Sequence, residues 1–264
     1  MFLTNKEEIL TNEFLINGYV IRKVENIDAL NWIRKKFLDF SKTLLELNKK
    51  SDKKNLLDQI HLFVSKKDLN HFRLRMIEQI NDESNFRKKY FSLAKKYLEI
   101  LVGNELAMQL RVNLSIQLPD DDSSLLPVHA DTWSGDSPFE VVIWVPLVDC
   151  FKSKSMYLLP PNDENKLILE QSIKKGKSSE ELFKIISEKI IWLDVNYGEL
   201  LIFNQALPHG NRINNEKETR WSMNCRFKGV FTPYNDKKIG EFFEPITLRA
   251  ASRAGMNYKL PEIF

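Results

Sequence analysis

Over the first hundred residues, apolar side chains return every third or fourth position. In residues 27–47 they fall at Leu30, Ile33, Phe37, Leu38, Leu44, Leu45 and Leu47, the stripe that an amphipathic helix turns toward a core. Residues 68–80 and 85–101 keep this period, so the spacing predicts two further helices, with the lysine-rich stretch 49–54 as an exposed connection. Helical character begins at Asn5, and one strand is expected at 19–24, announced by Gly18. At Leu106 the period drops to two, and short alternating segments follow, separated by Pro, Gly, Asn and Asp clusters. Strands are predicted at 109–118, 139–145, 155–159, 190–195, 199–203 and 220–228, with a polar helical insertion at 165–187.

Many short strands with turn punctuation suggest a sandwich or jelly roll. The expected architecture is α+β: one domain over 1–264, with a mainly helical part at 1–104 and a jelly-roll core at 105–264. The N-terminal helices would cover the outer face of one sheet. Two strands divide their faces sharply. Gln109, Arg111, Asn113, Ser115 and Gln117 share one face of the first; Arg220, Ser222, Asn224, Arg226 and Lys228 share one face of the second. Neither stripe holds an acid, which suits the lining of a cup for an anionic, polar ligand better than an ordinary solvated surface.

Composition excludes several classes. A hydrophobic fraction of 43% over 264 residues can bury a full core. With 39 basic and 36 acidic side chains the net charge of +3 is too balanced for a nucleic-acid partner. The basic clusters before residue 110 interleave with apolar residues and read as solvated helix faces. Cys150 and Cys225 are too few for a disulfide framework and read as buried thiols. Residues 1–14 do not resemble a secretory signal, and the longest apolar run, 141–148, is too short for a membrane span. A cytoplasmic enzyme with a small-molecule substrate is expected, with neither membrane nor nucleic acid as partner.

Chemistry concentrates in the β-rich half. His129 and Asp131 are two apart, on the same side if the segment is extended, and His209 follows a later strand. Two imidazoles and one carboxylate form the facial triad that leaves positions open on non-haem Fe(II). The other histidines, His61 and His71, fall in the helical half. Arg220 and Ser222 share a strand face after His209, and a guanidinium fork with a neighbouring hydroxyl can grip a carboxylate.

The order His129-x-Asp131, His209, Arg220-x-Ser222 resembles the Fe(II)/2-oxoglutarate-dependent oxygenases, and within them the phytanoyl-CoA-dioxygenase-like branch. The stretch 16–20, residues 139–149 and 156–160 share in the likeness, and the run 69–74 is similar to oxygenases of sporadic bacterial carbohydrate clusters. The resemblance implies a double-stranded β-helix (cupin-like) core. It makes His129, Asp131 and His209 the iron ligands, with Arg220 and Ser222 on the distal carboxylate of 2-oxoglutarate. Gln117 or Asn113 would stand near the keto-acid chelate. It further implies consumption of O2 with release of succinate and CO2. Because Asp131 is present, hydroxylation is expected rather than halogenation, since related halogenases lack that ligand. Trp133 is either a wall of the substrate pocket or a core aromatic.

The stripe that includes Arg111, Asn113, Asn224, Arg226 and Lys228 is too polar for an acyl chain. It points to a hydrophilic substrate such as a sugar or nucleotide-sugar, with Arg111 and Arg226 as contacts. Residues 246–256, with Arg249 and Arg253, read either as a lid or as a surface tail. Two rival functions use the same residues: a cupin-type metal enzyme without a keto acid, which has no need of Arg220 and Ser222, and a catalytically silent carbohydrate-binding jelly roll.

Overall fold

The computed structural model describes residues 2–47 and 55–261; the lysine-rich connection at 49–54 lies outside them. Helix α1 (Asn5–Asn17) starts on a capping box between Thr4 and Glu7 and stops at Gly18. Gly18 has φ 74°, the left-handed region where a side chain is strained, so the chain can turn there into strand β1 (Tyr19–Lys23). Helices α2 (Ile27–Leu44) and α3 (Leu69–Asn81) bury the stripes that their spacing predicts.

The third expected helix is two helices, α4 (Phe86–Ser92) and α5 (Lys95–Leu101). The break has a cause outside the segment. Glu25 takes the Leu93 carbonyl with its backbone N–H (2.9 Å) and the Lys96 N–H with its carboxylate (2.9 Å). These bonds satisfy groups that a continuous helix would have paired internally.

The strands are β2 (Leu106–Gln109), β3 (Asn113–Gln117), β4 (Glu140–Pro146), β5 (Tyr157–Leu158), β6 (Ile191–Trp192), β7 (Glu199–Asn204), β8 (His209–Gly210), β9 (Arg220–Gly229) and β10 (Phe243–Pro245). Between β5 and β6 lie α6 (Asp163–Lys174) and α7 (Ser179–Ile186), the expected insertion, and α8 (Ala250–Met256) ends the fold. The larger sheet runs β1-β7-β4-β9-β2-β10, with β3 also on β9; the smaller is β6-β5-β8. Every ladder is antiparallel.

The single strand expected at 109–118 is β2 and β3 with a break between them. At the break Asn81 of α3 holds both the N–H (3.0 Å) and the carbonyl (3.2 Å) of Val112. Opposite, the Gln109 side chain accepts the Arg226 N–H at 3.2 Å. Arg111 sits in this break and is exposed, so it leaves the stripe to which alternation assigned it.

The helices cover one face of the larger sheet, as its pattern requires. Trp221, Met223, Cys225 and Phe227 of β9 point into that interface and are buried with Phe37, Phe72 and Tyr90. Trp221 meets Phe37 and Phe72 edge to face at 6.0 and 6.1 Å and donates its indole N–H to the Leu57 carbonyl. Both cysteines are buried and free. The segment at 246–256 is no cover for the stripe on the other face: Arg249 is tied to Glu99 and Glu105 at the edge of the helical layer, and α8 buries no residue. Among the described residues no helix is long and apolar enough to cross a membrane.

Since Trp221 joins β9 to the helices, Trp221→Ala should cost about 3–5 kcal/mol, the range for emptying a buried aromatic site. Urea unfolding followed by circular dichroism measures it; a loss under about 1 kcal/mol would show that the helices are not anchored through this ring.

Candidate metal and anion site

Alternation on β9 fixes the other side of the sheet. With Trp221 in the helical interface, Arg220, Ser222, Asn224 and Arg226 turn toward the smaller sheet, where a cavity of about 310 Å3 opens. His129, Asp131 and His209 line the same cavity, with Val142, Trp144, Met156 and Phe203 as its apolar wall.

The three candidate ligands converge because their backbones are hydrogen-bonded to one another. His129 and His209 form a reciprocal antiparallel bridge, with N–H to O distances of 3.1 and 2.8 Å, and their ring centroids are 4.3 Å apart. The Asp131 N–H donates to the Gln205 carbonyl at 3.0 Å, in the turn between β7 and β8. Next to His209, Gly210 leaves room for two neighbours: a Cβ there would lie 2.6 Å from the Leu126 carbonyl oxygen and 2.7 Å from the Tyr157 hydroxyl. One donor atom from each of the three residues lies within 4.8 Å of the others.

The orientation of the imidazoles suits metal ligation. Nδ1 of His129 is 2.8 Å from the Pro127 carbonyl and Nδ1 of His209 is 2.9 Å from that of Leu207. A carbonyl only accepts, so each Nδ1 carries the proton and each Nε2 keeps its lone pair free. Burial, and next the charge of His129, push the pKa of His209 down to about 4, so this ring is neutral at pH 7. Asp131 is buried and accepts Arg226 Nη2 on Oδ2 at 2.9 Å, while Oδ1 faces His129 Nε2 at 3.6 Å. Two imidazole nitrogens and one carboxylate oxygen fit a divalent transition metal with open positions.

Arg226 is therefore no free contact for a substrate. Its Nε also reaches Asp136 at 3.1 Å and Gln205 Oε1 at 3.2 Å. Asp136 in turn pairs with Lys237, and Gln205 donates to Glu140 and the Ser137 carbonyl. This buried network fixes the orientation of Asp131 from behind.

Arg220 differs from Arg226 in one decisive respect. It is 2% exposed and forms no ion pair among the described residues; Nη1 donates to the Ser155 carbonyl at 3.1 Å, Nη2 to Ser115 Oγ at 2.9 Å, and Nε has no partner among them. Burial without a carboxylate lowers its pKa from 12.5 to about 10, so it is still a cation at pH 7. A buried charge costs several kcal/mol unless it is paired, and this one is aimed into a cavity with Ser222 beside it on the same strand face.

The remaining expected residues divide. Asn113 lines the cavity, bonded to Asn224 Oδ1 at 3.0 Å. Gln117 does not: it is buried and donates to the Arg212 carbonyl at 2.7 Å. Trp133 is neither cavity wall nor core; it is 47% exposed and borders a separate groove with Leu207 and Pro208. Lys228 is spent on the Pro233 carbonyl and the Tyr234 ring. Two residues of the cavity wall had no part assigned from the sequence. Ser115 was on the polar stripe without an assigned part, and Arg73, also on the cavity wall, lies on a helix, where a charge normally signals only solvent.

No family model matches the chain by sequence, and no curated protein does. Solved structures do match in fold. The non-heme monooxygenase ThoJ in its nickel complex aligns with a TM-score of 0.53 at 14% identity, over 92% of this chain and 85% of that one. EctD from S. alaskensis with 2-oxoglutarate and 5-hydroxyectoine gives 0.54 at 15% identity, over 88% and 78%. HygX from Streptomyces hygroscopicus with nickel and 2-oxoglutarate gives 0.51 at 14% identity, over 88% and 89%. At these identities the likeness is one of fold.

The Arg226 contact generates a test. Arg226→Gln should weaken metal binding about 10–100-fold, the usual effect of removing a group that orients a ligand. Competition with a chromogenic chelator reads the affinity; an unchanged value would mean that Asp131 needs no support from behind.

Proposed function

We propose that the chain is an Fe(II)- and 2-oxoglutarate-dependent oxygenase, built on a double-stranded β-helix, that hydroxylates a small polar molecule. One observation carries this reading: three candidate metal ligands and a buried guanidinium with no ion pair among the described residues share one cavity. A metal alone accounts for the triad. A chelating diacid accounts for both, because one end can complete the metal's coordination while the other neutralises Arg220. The solved structures of like fold include two with 2-oxoglutarate bound, which supports the choice of diacid.

In this reading, His129 and His209 give their Nε2 atoms to iron and Asp131 gives one oxygen, its other oxygen being held by Arg226. Iron with the chelated keto acid supplies oxidising chemistry when bound, using O2 and releasing succinate and CO2. The protein's own part is position and shielding. Arg220 and Ser222 receive the distal carboxylate, a grip that a lysine's point charge would not reproduce. Val142, Trp144 and Phe203 give the cavity an apolar wall. Asn113 and Asn224 offer amide groups at the polar side, suited to hydroxyls of a sugar or nucleotide-sugar. A cupin-type enzyme without a keto acid leaves Arg220 without a purpose, and a silent binding protein leaves the matched imidazole tautomers without one.

Anaerobic titration with Fe(II) and 2-oxoglutarate tests the reading. The wild type should develop the visible charge-transfer band of the keto-acid chelate, and His129→Ala should not. Arg220→Gln should still bind metal but need about 10–100-fold more 2-oxoglutarate, as expected when a charge-assisted grip is lost. A wild-type protein that binds Fe(II) yet gives no band would overturn the proposal.

A further inference from the structure

Beside the metal cavity lies a second one of about 340 Å3, and the two share Arg73, Ser115 and Leu126 in their walls. The second cavity is lined by two cations, Lys66 and Arg73, and by no carboxylate. Among the described residues neither cation is in an ion pair. The Arg73 guanidinium donates to Asn70 one turn earlier on α3 at 2.8 Å, and Lys66 Nζ to the backbone carbonyl of Asp120. Of the acids close by in sequence, Asp121 is turned inward, accepting the Ser123 N–H and the hydroxyls of Ser123 and Ser124 at 3.0 to 3.2 Å, Asp68 accepts the Ser65 hydroxyl at 2.6 Å, and Asp120 and Asp122 do not line the cavity. Most N–H donors of Lys66 and Arg73 are therefore uncommitted.

The metal cavity itself contrasts with this. Its one carboxylate, Asp131, is taken by Arg226, and Arg220 is the partner assigned to the diacid. Arg73 is the cation left over on that wall, and it faces both spaces. Helix surfaces usually scatter both signs of charge; here two positive groups without counter-ions border a concave space continuous with the candidate site. A fork-shaped guanidinium and an ammonium together suit an oxyanion with two or three acceptor oxygens.

We propose that the Lys66–Arg73 cavity is an oxyanion subsite for the substrate, which carries a carboxylate or phosphate group about one cavity's length from the carbon to be oxidised. The oxidation part rests on the oxygenase reading above; the anion subsite stands on Lys66 and Arg73 alone.

The test uses the full chain, anaerobic, with Fe(II) and 2-oxoglutarate. Inorganic phosphate and, separately, acetate are titrated in, and the paramagnetic broadening of the phosphorus or methyl-proton resonance is followed. At least one anion should broaden saturably in the range on the order of 10 mM or below. The anion that binds more tightly identifies the group. Arg73→Gln and Lys66→Gln should each weaken that binding by about tenfold or more, while Arg73→Lys retains part of it. The charge-transfer band and its 2-oxoglutarate dependence should stay as in the wild type.

Equal binding in wild type and variants, no saturation, or loss of 2-oxoglutarate affinity in Arg73→Gln would each overturn the subsite. The last result would assign Arg73 to the co-substrate instead. If the wild type forms no band, the oxygenase reading falls by itself. Calorimetric titration of the metal-free protein with the same two anions then decides the subsite, with the same expectations for the variants.

Discussion

Strand β9 cannot bury Trp221 among the helices without turning Arg220 and Ser222 to the opposite face. The period of two is strict, and a one-residue slip would put the guanidinium in the hydrophobic layer and the indole in the cavity. Core packing and anion site are thus one constraint. The indole hydrogen bond to Leu57 and the edge contacts with Phe37 and Phe72 hold the register from one side. The Arg220 bonds to Ser115 and Ser155 hold it from the other. What remains is a cation, desolvated and unpaired, in the cavity that also receives two imidazoles and a carboxylate.

The triad depends on a different kind of constraint, a backbone one. His129 and His209 belong to segments eighty residues apart, and the reciprocal hydrogen bonds of their peptide groups bring the rings together. Each ring is then fixed by a carbonyl two residues earlier in its own chain, so the tautomer needed for ligation is set locally. Asp131 is steadied from below by Arg226, itself shared with Asp136 and Gln205. Two arginines on one strand face, 220 and 226, thereby take opposite parts. Arg226 is neutralised by Asp131 and Asp136, and Arg220 has no ion pair among the described residues.

Much of this was readable in the residues. Helical and strand periods gave the helices, the β-rich half and the insertion, and the two-sided character of 220–228 predicted both the buried Trp221 and the inward Arg220. The misreadings share a physical origin. Arg111 left its stripe because Asn81, on another helix, replaces the ladder at Val112, and helix 85–101 broke because Glu25 bonds into its middle. Periodicity carries no trace of such distant partners. Arg226 was correctly turned inward, but the sequence could not reveal that Asp131 and Asp136 claim it. Trp133 failed for a related reason, since a short 3-10 turn at Asp131–Ser134 carries its ring out of the cavity wall.

The central claim is that one diacid joins the metal to Arg220. Its most direct test is a crystal structure of the protein soaked with Ni(II) and 2-oxoglutarate under conditions that prevent turnover. The account predicts a single ion on His129, Asp131 and His209, with the keto-acid end of 2-oxoglutarate on the ion and the far carboxylate on Arg220 and Ser222. An ion bound elsewhere, or a diacid whose far end avoids Arg220, would contradict it.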